Sequence, residues 1–170
     1  LGVKTHSAVV VMTHNLLVLE TSTEIGSVAV VRDRMLVAER SFPSRDPITG
    51  ARTEALAPAV ADCLAVAAMP VRDLSGVICG GGPGGFTSLR SAAALSKGLC
   101  AALSIPLYAV SSLDMLAWTP DLPDGNFVAA LSAGRREWFA ADVTRAEGAT
   151  AVSAASLRGD EELRSHAIAA

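Results

Sequence analysis

The stretch Ser75-Gly76-Val77-Ile78-Cys79-Gly80-Gly81-Gly82-Pro83-Gly84-Gly85-Phe86-Thr87-Ser88-Leu89-Arg90 decides how the rest of the chain is read. Residues 76–79 are a short apolar run containing β-branched side chains, which is the pattern of a buried strand. Five glycines and one proline fill the next six positions. An Ala/Leu-rich run follows that Thr87 or Ser88 can cap as a helix. The stretch therefore reads as strand, glycine loop, helix. Glycine lets a neighbouring group approach the backbone without interference from a Cβ, and the N–H groups at a helix start favour anions. Either a phosphate or another segment of protein can fill that space.

Working upstream, residues 16–19 form an apolar strand that ends in Glu20-Thr21-Ser22-Thr23-Glu24. Residues 27–31 and 35–39 read as two further strands around a turn at Arg32-Asp33-Arg34, giving an antiparallel meander. Residues 41–50, with Pro43, Pro47 and Gly50, are a loop. A helix is expected over 53–68, with Leu56, Val60, Cys63, Leu64 and Ala67 on one face. Pro58 would fall in its second turn, which predicts a bend or a later start.

Working downstream, a second long helix is expected over 89–103 and a buried strand over 107–110. Ser111-Ser112-Leu113-Asp114 can cap a short helix reaching Trp118. Strands at 127–131 and 137–143 open a second unit, and the residues after them are too few to complete it. The order β-β-β-α-β-α-β-α, then β-β, places three strands before the first helix, whereas a doubly wound dinucleotide fold alternates from its start. It is the α/β, ribonuclease-H-like order of the actin, Hsp70 and sugar-kinase superfamily, a mixed sheet flanked by helices, followed by a partial or short second lobe. The expected division is a flexible tail over 1–15, a first domain over 16–118, and the start of a second over 119–170.

Composition narrows the function. An apolar fraction of 51% with 18% charged residues supports a core, which 4% aromatic residues leave to Ala, Val and Leu. A net charge of -3 does not suit a chain that grips a nucleic-acid backbone by itself. Cys63, Cys79 and Cys100 are widely spaced in apolar surroundings and read as reduced core thiols. The apolar run at 8–11 is too short for a signal-peptide core or a membrane span, so a cytoplasmic location is expected.

Residues 80–85 satisfy G-x-G-x-x-G, yet the next strand ends in Val110-Ser111-Ser112 with no acid to hold a ribose. A phosphate-binding P-loop needs a lysine after the glycines, and Phe86 and Thr87 stand there. The histidines, His6, His14 and His166, all lie near the ends of the sequence, so the expected core has no imidazole for a protease triad, a general base or a metal. Glu20 is the acid that an ATP-dependent phosphotransferase or a carbamoyl-type transferase of this superfamily would use. Against that reading, 20–24 contains no glycine and adds a second negative charge at Glu24, and local turn hydrogen bonds from Ser22 or Thr23 account for it as well.

Small residues repeat at i,i+4 on both long helices: Ala57, Ala61 and Ala65 on the first, Ala94, Gly98 and Ala102 on the second. Such ridges let another helix approach closely. An Ala-rich sequence also makes them by chance.

Several segments resemble the TsaB (YeaZ) family, accessory proteins of bacterial tRNA threonylcarbamoyladenosine synthesis. Leu19-Glu20-Thr21-Ser22-Thr23 is similar to that family's first-strand I-D-T-S-T, and Thr53-Glu54-Ala55-Leu56-Ala57-Pro58 to its first-helix segment. Residues 80–90 are similar to G-x-G-P-G-S-F-T-G-L-R, and 105–107, 110–113 and 133–139 continue the likeness in order. Glu20 stands for the usual Asp, Arg52 for a common His, Gly85 and Ser88 for Ser and Gly, and Ser132 and Gly134 for Asp and Arg.

The resemblance implies a subunit that performs no chemistry and holds no cofactor, ATP being used by its partners. Those partners would be a TsaD-like catalytic subunit and a TsaE-like ATPase, with a homodimer in isolation and tRNA reached only through the complex. Contacts would use Glu54, Ala57, Pro58, Ala61, Ala65, Arg90, Ala94, Gly98 and Ala102. Gly80, Gly82, Pro83, Gly84, Gly85, Phe86 and Thr87 would be a structural loop that sets the angle of the second helix, any anion at Thr87 or Ser88 being incidental.

Overall fold

The computed structural model describes residues 14–44, 55–120 and 122–168. Strands β1 (Asn15–Glu20), β2 (Ile25–Arg32) and β3 (Met35–Pro43) form the expected meander, followed by helix α1 (Leu56–Val66), β4 (Gly76–Gly80), helix α2 (Phe86–Leu103), β5 (Leu107–Val110) and the short helix α3 (Ser112–Ala117). The first sheet has the order β3-β2-β1-β4-β5, with β1 antiparallel to β2 and parallel to β4. That order is the ribonuclease-H-like lobe. The second sheet contains β6 (Gly125–Gly134), β7 (Glu137–Ala146) and β8 (Ala149–Val152), and β9 (Ser156–Gly159) also pairs with β7. Helix α4 (Asp160–Ile168) follows β9.

Alternation along the strands fixes which face each residue covers. Leu17 and Leu19 on β1, Val28 and Val30 on β2, and Val77 and Cys79 on β4 point to one side and are buried. Ala59, Val60, Cys63, Leu64 and Ala67 of the α1 segment and Ala92 and Cys100 of α2 complete that core. Each such Leu or Val contributes roughly 1.5–3 kcal/mol by leaving water. A second cluster joins Leu113 of α3 to Leu131 and Ala141 of the second sheet, so α3 bridges from the first sheet onto the second.

Three details sharpen the sequence expectation, the first being the later helix start that Pro58 predicted. Helix α1 begins at Leu56, so Pro58 lies in the first turn, where an N–H has no helical partner to lose; the first helical bond runs from Ala59 N to Ala55 O, 2.9 Å. Helix α2 begins at Phe86 with Gly85 in the capping position, so Thr87 and Ser88 sit inside the helix and no side chain caps it. The residues after 143, to which no elements are assigned from the sequence, form the end of β7 together with β8, β9 and α4. Among the described residues no helix is long and apolar enough to cross a membrane. Glu54, Arg52 and Thr53, and most of the expected 1–15 tail, lie outside the described residues.

Candidate functional site

The glycine loop is filled by the chain itself. A Cβ on Gly80 would land on the Glu20 carboxylate, and one on Gly84 would lie 2.6 Å from Ser22 Cα and O. Gly82, at φ +88, holds a left-handed conformation beside Leu89. Gly85 N donates to Ser22 O at 3.0 Å, and Gly81 N donates to Val110 O at 2.7 Å. The close approach that the glycines allow is therefore made by the end of β1 and the turn after it. Gly85 itself would accept a Cβ at ordinary contact distance. Pro83 follows a cis peptide bond from Gly82.

Glu20 occupies the centre of this arrangement. Its Oε1 accepts from Ser22 N at 2.6 Å and its Oε2 accepts from the Ser112 hydroxyl at 2.9 Å. Ser112 N in turn donates to Gly82 O at 2.9 Å. One carboxylate thus ties together β1, the glycine loop and the start of α3. The preceding residue, Ser111, supplies the cap: its hydroxyl accepts from Asp114 N at 3.3 Å. The sequence reading gave both serines to the cap and missed the Ser112 contact. The signal was a serine doublet where one cap residue suffices.

Between the two sheets a cleft of about 330 Å³ opens, lined by Ser22, Thr23, Glu24, Ser44, Gly85, Ser88, Leu131 and Ser132. Among the described residues its lining carries hydroxyls and one carboxylate and no basic side chain. In this cleft the start of α2 favours an anion and the Glu24 carboxylate opposes one. Among the described residues no three His, Cys, Asp or Glu side chains group as metal ligands. The cysteines lie inside the core, and burial pushes the thiols of Cys63, Cys79 and Cys100 up from their ordinary range.

The other candidates form a surface. On α1, Ala57, Pro58, Ala61 and Ala65 are exposed; on α2, Phe86, Arg90, Ala94, Gly98 and Ala102 are exposed at a strict i,i+4 spacing. The buried ridge of α2 is a different one, Ala92, Ser96 and Cys100. Nothing lies within 4 Å of where a Gly98 Cβ would stand. The Arg90 guanidinium sits 5.2 Å from the centre of the Phe86 ring, and Phe86 is 72% exposed.

Residues 49–160 match the family model TsaD: tRNA N6-adenosine threonylcarbamoyltransferase. The chain belongs to this family. Over 123 residues it is 35% identical to an uncharacterized protein of Mycobacterium tuberculosis, a span of 72% of this chain and 56% of that one. It is 33% identical over 103 residues to the tRNA threonylcarbamoyladenosine biosynthesis protein TsaB of Bacillus subtilis, covering 60% of this chain and 43% of TsaB. The chain spans about half the length of the curated relatives it matches. Among solved structures, YeaZ from Pseudomonas aeruginosa superimposes with a TM-score of 0.71 at 26% identity, covering 87% of this chain and 68% of YeaZ. The TsaB (YeaZ) resemblance and the ribonuclease-H-like fold read from the sequence both hold.

Proposed function

We propose that this chain is a non-catalytic partner subunit in threonylcarbamoyladenosine synthesis, supporting a TsaD-like subunit that transfers the threonylcarbamoyl group to the adenosine beside the tRNA anticodon. The observation that carries this reading is the outward ridge pair. Ala57, Ala61 and Ala65 on α1 and Ala94, Gly98 and Ala102 on α2 are all exposed, so the small residues leave room for a partner's helices instead of packing on their own sheet. The TsaB relatives and the match to the TsaD family model support the choice of pathway. A TsaE-like ATPase would supply ATP turnover, this chain would hold no cofactor of its own, tRNA would reach it through the assembly in the cytoplasm, and an isolated chain would use the same helices to pair with itself.

The reading is tested by capturing a TsaD-like subunit on immobilised chain and on Gly98→Leu. Loss of at least tenfold in capture with the substituted chain, together with loss of adenosine modification in a reconstituted mixture, is expected. Undiminished capture would remove the helices from the interface. The competing reading, a phosphotransferase or carbamoyl-type transferase using Glu20, requires ATP turnover by the purified chain that Glu20→Gln abolishes. The two hydrogen bonds already taken by the Glu20 carboxylate weigh against it.

A further inference from the structure

A hydroxyl that has donated its proton presents only lone pairs, and one that accepts keeps its proton to give. On that basis the cleft between the two sheets has two chemically different sides. Thr23 donates to Ile25 O at 2.6 Å and Ser44 donates to Thr23 O at 3.1 Å, so both hydroxyls meet any further group as acceptors. Beside them stands the Glu24 carboxylate, which is exposed and has no ion pair among the described residues. The other side offers donors. Gly85 begins α2 with no side-chain cap, so the amides of its first turn, Phe86 and Thr87, have no helical acceptor. Ser132 accepts from Gly134 N at 3.3 Å and keeps its hydroxyl proton. Ser22 lines the cleft and is 8% exposed, and its hydroxyl makes no hydrogen bond among the described residues. Its N–H and C=O are taken up by Glu20 and Gly85, so the hydroxyl is the group left over. A polar atom at that depth normally has a partner, and the cleft is where one would stand.

We infer that the cleft takes a small zwitterion, an α-amino acid, with its carboxylate toward Ser22 and the start of α2 and its ammonium toward Glu24, Thr23 and Ser44. A lone anion would gain from the helix start and be opposed by Glu24. A lone cation would suit Glu24 and leave the Ser22 hydroxyl and the α2 amides unpaired. A zwitterion answers both sides and brings no net charge into the cleft. Ser22, Thr23 and Glu24 are consecutive, so the donor and acceptor sides adjoin, as two charged groups on one α-carbon require. Leu131 gives the lining an aliphatic side chain for the ligand's carbon atoms. The volume of about 330 Å³ falls at the lower end of the roughly 300–1,000 Å³ of small-molecule sites. None of the lining residues belongs to the exposed ridges of α1 and α2, so the inference stands apart from the partner reading.

The test is calorimetric titration of the full 170-residue chain with L-threonine, whose hydroxyl and methyl suit a lining of hydroxyls and Leu131. Three further probes take the charges apart: N-acetyl-L-threonine lacks the ammonium, L-threonine amide lacks the carboxylate, and inorganic phosphate is an anion alone. Saturable binding of L-threonine at millimolar concentration is expected, with each of the other three at least tenfold weaker. Glu24→Gln should weaken L-threonine at least tenfold and leave N-acetyl-L-threonine no weaker than before, because the carboxylate that opposes it is gone. Glu24 is exposed and the probe series needs no substituted chain, so a folding defect does not blur the outcome. Absence of saturable L-threonine binding, N-acetyl-L-threonine or phosphate binding as tightly as L-threonine, or undiminished L-threonine binding by Glu24→Gln would each overturn the inference.

Discussion

Ser112 and Glu20 lie 92 positions apart in the chain, and the Ser112 hydroxyl donates to Glu20 Oε2 at 2.9 Å. The pair fastens the start of α3, which reaches onto the second sheet, to the last residue of the central strand of the first. Ser112 is 1% exposed, so its hydroxyl has little water to turn to.

Removing that hydroxyl leaves one carboxylate oxygen without its donor. Ser112→Ala is expected to lower stability by about 1.5–3 kcal/mol, the range for a hydrogen bond to a charged group, and Glu20→Gln by less because an amide oxygen can still accept. Urea denaturation of both single variants and the double variant checks this. The double variant should lose less than the sum of the two, and strict additivity would show that the pair is not coupled.

The glycines divide by what surrounds them. Gly84→Ala forces a Cβ against the Ser22 backbone in a conformation that side chains rarely adopt, and a loss of about 1–3 kcal/mol is expected. Gly98→Ala places a methyl in open space within a helix, and a gain of about 0.5–1 kcal/mol is expected. Thermal denaturation of the two variants should move in opposite directions.

Arg158 holds the end of the chain to the second sheet. Its guanidinium donates to both carboxylate oxygens of Asp142, at 2.8 and 2.7 Å, and its side chain is only 10% exposed. Hydrogen bonding to Asp142 pushes its pKa above the ordinary arginine value. Arg158→Ala should cost about 1.5–3 kcal/mol and loosen 156–168 first, seen as faster amide exchange in β9 and α4 than in β1.

The buried thiols make stability depend on pH in one direction. Their folded pKa values are raised by burial, so the folded state holds its thiol protons more tightly than the unfolded state does. This contribution is whole below the ordinary value of 9.0 and declines as pH rises beyond it. Urea midpoints that fall above pH 9 in the parent chain, and fall less in Cys79→Ala, are the expected result. An equal fall in both would assign the effect to other groups.

Most of the first lobe was legible because its signals are local. The apolar runs at 16–19 and 107–110 and the turn at Asp33-Arg34 place strands directly, and the two-residue turn indeed has both residues at positive φ, 49° and 70°. The second lobe was legible only at its opening. Its hairpin turns use Arg135-Arg136 and Glu147-Gly148, again at positive φ, but arginine pairs carry no turn preference, and the ladder on either side imposes the conformation. Strand β9 was invisible for the same reason, since Ser-Leu-Arg-Gly becomes a strand only by pairing with β7 and through Arg158 meeting Asp142.

By itself the sequence determined the succession of elements in the first lobe, the core face of the first long helix, and a glycine loop without the lysine of a P-loop, because periodicity and residue chemistry act over a few positions. Tertiary structure alone decided what fills the space that loop leaves. Whether its glycines cradle a ligand or make room for protein depends on what another segment brings against them. Here the Glu20 carboxylate and the Ser22 backbone occupy that space, with Ser112 reaching in from the start of α3.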